Sequence, residues 1–112
     1  MPTTTDLVKR VMKRIGALDA GENQTAAENA DVLAIMESVY SELLEKGNID
    51  WTLTSIPTRC EDPFISVVAA RVAPDFGLDS PDVQARGVDG MRRLYQLTTR
   101  RIDPRESPAV DY

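Results

Sequence analysis

Apolar positions recur at helical spacing in four stretches of the chain, and each stretch carries a start signal. In the first, Leu7, Val8, Val11, Met12 and Ile15 share one face, with Lys9, Arg10 and Lys13 on the other. This predicts an amphipathic helix from about Thr4 to Ile15, capped by Thr3 with Asp6 three residues on. Gly16 supplies the stop, because glycine lacks the Cβ that penalises positive φ. After a polar loop over 19–24, Thr25 and Glu28 have capping-box spacing, in which hydroxyl and carboxylate each satisfy an orphan backbone N–H. The second helix runs to about Lys46, and Gly47 ends it. Its main apolar stripe is Ala30, Leu33, Met36, Tyr40, Leu43 and Leu44; Val32, Ile35 and Val39 form a second stripe, expected roughly opposite. A helix apolar on two sides is covered on two sides. The second cover is either a helix of the same chain or a neighbouring subunit.

From Asn48 to Pro57 the helical period breaks. Ile49, Trp51, Leu53 and Ser55 alternate with Asp50, Thr52, Thr54 and Ile56. The alternation predicts an extended strand or arm between helices 2 and 3. Trp51 and Leu53 then become candidates for contact with a neighbouring copy by strand addition. The alternative is a solvated loop packed by Trp51.

Asp62-Pro63 reads as the start of the third helix, an acidic cap with proline at the first position. Ile65, Val68, Ala69, Val72 and Phe76 share a face, Phe64 and Val67 add apolar surface elsewhere, and only Ser66 and Arg71 interrupt. This is expected to be the central, most buried helix. Pro74 ends or kinks it, and Gly77 stops it. Ser80-Pro81 starts the fourth helix by the same logic. Val83, Gly87, Val88, Met91, Leu94, Tyr95 and Ile102 line one side, with Arg86, Asp89, Arg93 and Arg100 on the other. Gly87 weakens a helix interior by about 1 kcal/mol relative to alanine. Its place on the apolar side implies that another backbone passes close by. From Asp103 the composition changes: Pro104 and Pro108 bracket polar residues, and the chain ends in Val110-Asp111-Tyr112. The fold class is therefore all-α, a small four-helix bundle over 1–102 with a non-helical, extended tail over 103–112.

The chain has 112 residues and a net charge of −5, which argues against a dedicated nucleic-acid binder. The charges are segregated. Lys9, Arg10, Lys13 and Arg14 crowd the first helix; Glu22, Glu28, Asp31, Glu37, Glu42 and Glu45 dominate the second and its approach; arginines from Arg86 to Arg105 load the last part. Complementary segments of this kind suit contact between copies, or are solvated helix faces. The single cysteine, Cys60, permits no internal disulfide, which is compatible with a reducing compartment. No apolar run approaches the roughly 18 residues of a membrane span, and the polar start, Met1 to Thr5, shows no signal peptide.

Catalytic constellations are nearly absent. Without histidine there is no Ser-His or Cys-His dyad and no histidine metal site. Cys60 reads as a structural thiol, not a nucleophile. Glu61-Asp62 and Asp79 with Asp82 are better explained as caps and loops than as acid–base pairs. Gly87 and Gly90 lie in a helix without the lysine and hydroxyl of a phosphate loop. The residues point away from an enzyme and imply no cofactor and no metal.

The stretch Ala69-Ala70-Arg71-Val72-Ala73-Pro74-Asp75-Phe76-Gly77-Leu78 is the most informative. With Asp6-Leu7-Val8-Lys9-Arg10 and Lys13-Arg14-Ile15-Gly16 at the start, it resembles the head-to-tail adaptors of short-tailed bacteriophages, the packaged-DNA stabilisation or tail accessory proteins. In that family an apolar helix meets an Arg-Ile/Val-Ala-Pro-Asp-aromatic step and then a second long helix. The resemblance covers roughly Asp6 to Arg101. It is specific in the two quoted blocks and loose over 48–62. It implies a mostly helical virion protein at the neck, assembled in the host cytoplasm as a homo-oligomeric ring of about twelve. Such a ring sits beneath the portal protein, extends the DNA channel, helps to retain packaged DNA and offers a platform for a tail hub, nozzle or tail-tube protein. The carboxyl-terminal segment of the family typically anchors on the portal. Carried over, this makes Arg100, Arg101, Arg105, Val110 and Tyr112 portal-binding candidates, although the tail here is much shorter than in longer members. Shorter connectors of long-tailed phages share a related helical fold, so the tail type stays open.

Within that reading, Val32, Ile35, Val39, Trp51 and Leu53 are subunit–subunit candidates. Glu28, Asp31, Glu42 and Glu45, along one side of the second helix, are channel-lining candidates, since an acidic lining lets packaged DNA slide with only non-specific contact. The competing reading from another class is a small dimeric helical regulator that contacts DNA through Lys9, Arg10, Lys13 and Arg14.

Overall fold

The computed structural model describes residues 3–19, 21–47 and 49–99. They form four α-helices: α1 (Thr4–Arg14), α2 (Ala26–Glu45), α3 (Thr58–Val72) and α4 (Pro81–Thr99), with a 3₁₀ turn (Ala73–Phe76) between α3 and α4. Among the described residues there is no strand. The tail from Asp103, the last turn expected for helix 4, and the candidates Arg100, Arg101, Arg105, Val110 and Tyr112 lie outside the described residues.

Both capping boxes form. Asp6 N–H donates to Thr3 Oγ1 and Thr3 N–H to the Asp6 carboxylate, each at 3.1 Å. Glu28 N–H donates to Thr25 Oγ1 at 3.1 Å, and Thr25 N–H to Glu28 Oε1 at 2.8 Å. Ser80 Oγ accepts from Val83 N–H at the head of α4.

The third helix is the core, as its apolar density predicts. Every residue from Pro63 to Ala69 is buried, so α3 is enclosed all round. It packs most extensively against α4, and also against α1 and α2. It begins one turn earlier than Asp62-Pro63 suggested. Pro57 is the cap, Cys60 N–H bonds to the Pro57 carbonyl at 2.8 Å, and Pro63 sits inside the helix. The ladder bond forfeited at Pro63 is the one to the carbonyl of Arg59, in an exposed first turn. At the other end, Pro74 converts the helix to a 3₁₀ turn, and Gly77 closes it at φ 68°, a conformation that a Cβ disfavours.

Two features of the sequence resolve differently. Residues 49–57 are a packed loop and not a strand: Ser55 N–H closes a turn on the Thr52 carbonyl, while Ile49, Trp51 and Ile56 are buried. Alternation here marks residues that anchor a loop. Trp51 stands edge-on to Phe64, centroids 5.6 Å apart, and tilts against Tyr40, whose hydroxyl donates to the Trp51 carbonyl at 2.8 Å. Trp51 Nε1 is buried without a hydrogen-bond partner among the described residues. On α2, the buried line is Val32, Met36, Val39 and Leu43. The two expected stripes are about 100° apart, not opposite, and merge into one broad face. Ala30 is exposed, and Leu44 is half-exposed.

The expected close approach at Gly87 is present, and Gly90 makes a second. A Cβ on Gly87 would fall 2.4 Å from Ala70 Cβ, and one on Gly90 would fall 2.6 Å from the Pro63 carbonyl oxygen. Gly87→Ala and Gly90→Ala therefore overpack the α3–α4 seam. Each is expected to destabilise by about 1–3 kcal/mol, outweighing the higher helix propensity of alanine. In a double-mutant cycle by chemical denaturation, Ala70→Gly should offset the Gly87→Ala loss once the roughly 1 kcal/mol that glycine costs in a helix interior is subtracted, because the clash is with that methyl. It should recover little for Gly90→Ala, whose clash is with backbone.

Candidate interaction surfaces

The basic residues of α1 turn inward, toward the head of α3. Arg10 Nη1 donates to Glu61 Oε1 at 2.8 Å, and Arg14 Nη2 to Asp62 Oδ1 at 2.7 Å. Arg14 Nη1 also donates to Ser66 Oγ at 2.9 Å and to the Asp62 carbonyl at 3.3 Å. Ser66 is the one buried polar residue among those described, and Arg14 satisfies it. Lys9 donates to Asn23 Oδ1, which leaves Lys13 as the outward-facing cation of the helix. The carboxylates Glu61 and Asp62 are thus structural ion-pair partners. The Arg14 hydrogen bond holds the Asp62 carboxyl below its ordinary value.

On α2 the channel-lining candidates divide. Glu28 serves in the capping box. Glu42 takes both guanidinium nitrogens of Arg71 from α3, with Nη2 to Oε1 at 2.9 Å, and the pairing lowers its pKa. Asp31 and Glu45 remain exposed. The subunit–subunit candidates divide as well. Val32, Val39 and Trp51 are buried in the core of their own chain, which accounts for their apolar character without a neighbour. Ile35 and Leu53 are only partly buried against that core. A wide buried face on α2 had the look of two faces because α1 and α3 cover adjacent sectors of it.

Between α1, α3 and α4 runs an open groove of about 470 Å³, walled by Arg14, Asp62, Arg86, Asp89 and Arg93 with Gly90 at its floor. Its charges are largely matched: Arg14 with Asp62, Arg86 with Asp82, and Arg92 with Asp89. On the other side of the α3–α4 seam lies a smaller groove of about 220 Å³, lined by Val67, Ala70, Gly87, Val88 and Met91 with Arg71 and Gln84 at its rim. Gln84 Nε2 ties the two helices there, donating to the Ala70 carbonyl at 2.8 Å. Val88, read in the sequence as part of the apolar side of α4, is 72% exposed. Val88 and Arg71 are the surface residues that periodicity undervalued. Val88 falls on the edge of the apolar sector, and Arg71 looks like an interruption until Glu42 is seen opposite it.

Cys60 is buried and is in no disulfide among the described residues. Among the described residues no group of three or more His, Cys, Asp or Glu is suited to holding a metal ion. No helix among them is long and apolar enough to cross a membrane. The surfaces offer charged and apolar recognition.

The ion pairs give a pH dependence of definite sign. Asp62 and Glu42 are depressed in the folded state, from ordinary values of 3.8 and 4.5. Their contribution is present above those values and is lost as pH falls through the lower, folded ones. Between pH 5 and 3 the melting temperature should fall. The fall should be smaller in Asp62→Asn, by an amount corresponding to less than about 1 kcal/mol for a solvent-screened pair. Thermal melts across that range check it.

No protein-family profile, no curated protein and no solved structure matches this chain.

Proposed function

We propose that the chain is a head-to-tail adaptor of a tailed bacteriophage, a structural protein of the virion neck that forms a ring below the portal. The observation that carries this reading is the passage from α3 to α4. Arg71-Val72-Ala73-Pro74-Asp75-Phe76 ends a fully enclosed helix, turns through 3₁₀ geometry and delivers the chain, by way of Gly77, to a second long helix. That is the arrangement the resemblance implies. The all-α fold supports it, and so does the scarcity of catalytic chemistry in a chain without histidine. In this role the ring extends the DNA channel, and packaged DNA makes non-specific contact with it. Asp31 and Glu45 are the acidic residues best exposed to line it. The portal binds one end, through Arg100, Arg101, Arg105, Val110 and Tyr112, and a tail hub, nozzle or tail-tube protein binds the other.

The rival reading, a dimeric DNA-binding regulator, depends on a free basic α1. Arg10 and Arg14 are engaged with Glu61 and Asp62, so no observation favours it.

Purified chain mixed with purified portal tests the proposal. The chain alone should be monomeric or weakly associated at micromolar concentration. On the portal it should form a ring of about twelve, read by native mass measurement and imaging. A tight symmetric dimer that persists with portal present would sink the idea. Deleting 103–112 should weaken portal binding at least about tenfold, since apolar and aromatic anchors carry most of the energy of such contacts. The helical signal of the rest should be unchanged. Unaltered affinity would move the anchor elsewhere, most simply to the arginines of α4.

A further inference from the structure

Helix α1 packs on α3 and α2, and its direct contact with α4 is slight. Both α1 and α4 nevertheless line a small recess of about 20 Å³, beside the larger charged groove. Its walls are Arg14 of α1, Ser66 and Ala69 of α3, and Asp82, Val83 and Arg86 of α4. The inner wall is Ser66, 7% exposed, and Ala69, 1% exposed. The outer wall is the exposed Asp82–Arg86 pair, with Nε to Oδ2 at 3.2 Å. A recess needs roughly 10–15 Å³ and two to four polar partners to hold one water, and this one has both. Ser66 is the deciding partner. A hydroxyl carries one hydrogen and two lone pairs. Arg14 Nη1 uses a lone pair, donating to Ser66 Oγ at 2.9 Å. The usual acceptor for a serine inside a helix is the carbonyl four residues back. Here that is Asp62, whose carbonyl accepts from Arg14 Nη1 at 3.3 Å and not from the serine. The Ser66 hydroxyl hydrogen therefore has no acceptor among the described residues. A buried donor is seldom left unmade.

We propose that the recess binds one ordered water, which ties α1, α3 and the head of α4 together. The water accepts from the Ser66 hydroxyl and donates to the Asp82 carboxylate, and the remaining N–H groups of Arg14 and Arg86 complete its shell. Water is the occupant because the volume admits one small molecule and the lining offers donors and an acceptor at once. An anion there would face Asp82, and a cation would face two guanidiniums. Water-mediated bonds are nearly as favourable as direct ones. The joint thus supplies the link between α1 and α4 that direct packing largely omits. It gives Ser66 a second task beside holding Arg14: it is a positioning residue for the water. The site belongs to the fold and is independent of the phage reading.

The test is a high-resolution crystal structure of the full chain, together with water–amide nuclear Overhauser measurements in solution. The expected result is one water within hydrogen-bond distance of Ser66 Oγ and the Asp82 carboxylate, and a water cross-peak at the amides around Ser66. Val83→Ile adds a methyl at the wall of the recess; it should abolish the water signal while the Arg14–Ser66 bond stays in place. A double-mutant cycle gives a second reading. Ser66 and Asp82 share no direct hydrogen bond, yet Ser66→Ala and Asp82→Ala together should shift the denaturation midpoint by less than the sum of their separate shifts. A dry recess, a Ser66 hydroxyl turned onto the Asp62 carbonyl, or strictly additive shifts would overturn the proposal. Scattering from an ion at the site would overturn it too, in favour of that ion.

Discussion

The close approach of α3 and α4 is the constraint on which the rest of the molecule depends. Seven consecutive buried residues, Pro63 to Ala69, cannot be covered by a single neighbour. Helices α1, α2 and α4 share the cover, and α4 takes the largest part. It does so by presenting Gly87 and Gly90 at the points where a methyl would strike Ala70 and the Pro63 carbonyl. Two glycines inside a helix weaken it intrinsically. The cost is offset because the close approach lets Leu94 bury fully in the core, with Val83, Met91 and Leu97 partly buried against it. Interiors pack at near-crystalline density, so the seam tolerates little added volume.

Electrostatics then fixes how the outer helices sit on that core. The head of α3 is acidic, with Glu61 and Asp62, and α1 answers with Arg10 and Arg14. The tail of α3 carries Arg71, and α2 answers with Glu42. The two clasps engage opposite ends of the same helix, which orients α1 and α2 along it. Each is partly exposed and contributes modestly to stability. Their main consequence is to decide which charges remain available to partners. The basic patch on α1 is largely spent inside the fold, as is part of the acidic row on α2. What faces outward includes Lys13 on α1, Asp31, Glu37 and Glu45 on α2, and Arg93 on α4, whereas Arg86 and Arg92 pair with Asp82 and Asp89 on their own helix.

That redistribution bears on the adaptor reading. Val32, Val39 and Trp51, candidates for subunit contact from the sequence, are buried in the core of their own chain. Leu44 and Val88 are the large apolar side chains that stay most exposed among the described residues.

Much of the fold was legible in the chain itself, because its determinants are local. The capping boxes at Thr3 and Thr25, the stop at Gly77, the break at Pro74 and the enclosure of α3 all follow from residues within a few positions of one another. Gly87 was legible too, since a glycine on an apolar helix side has little reason to be there except close contact. The extent of α2's buried face, the folding of 49–57 into a loop and the earlier start of α3 were decided by tertiary structure. In each, residues distant in the chain supplied the cover: Phe64 and Tyr40 for Trp51, α1 and α3 for Val32 and Val39. The candidate surfaces were the least legible. A charge at the surface is a partner site only if nothing inside the molecule claims it, and Arg10 with Glu61, Arg14 with Asp62 and Arg71 with Glu42 are claimed across separations of 51, 48 and 29 residues. Periodicity within one helix carries no information about those pairings; only the packed bundle, by bringing the helices side by side, assigns them.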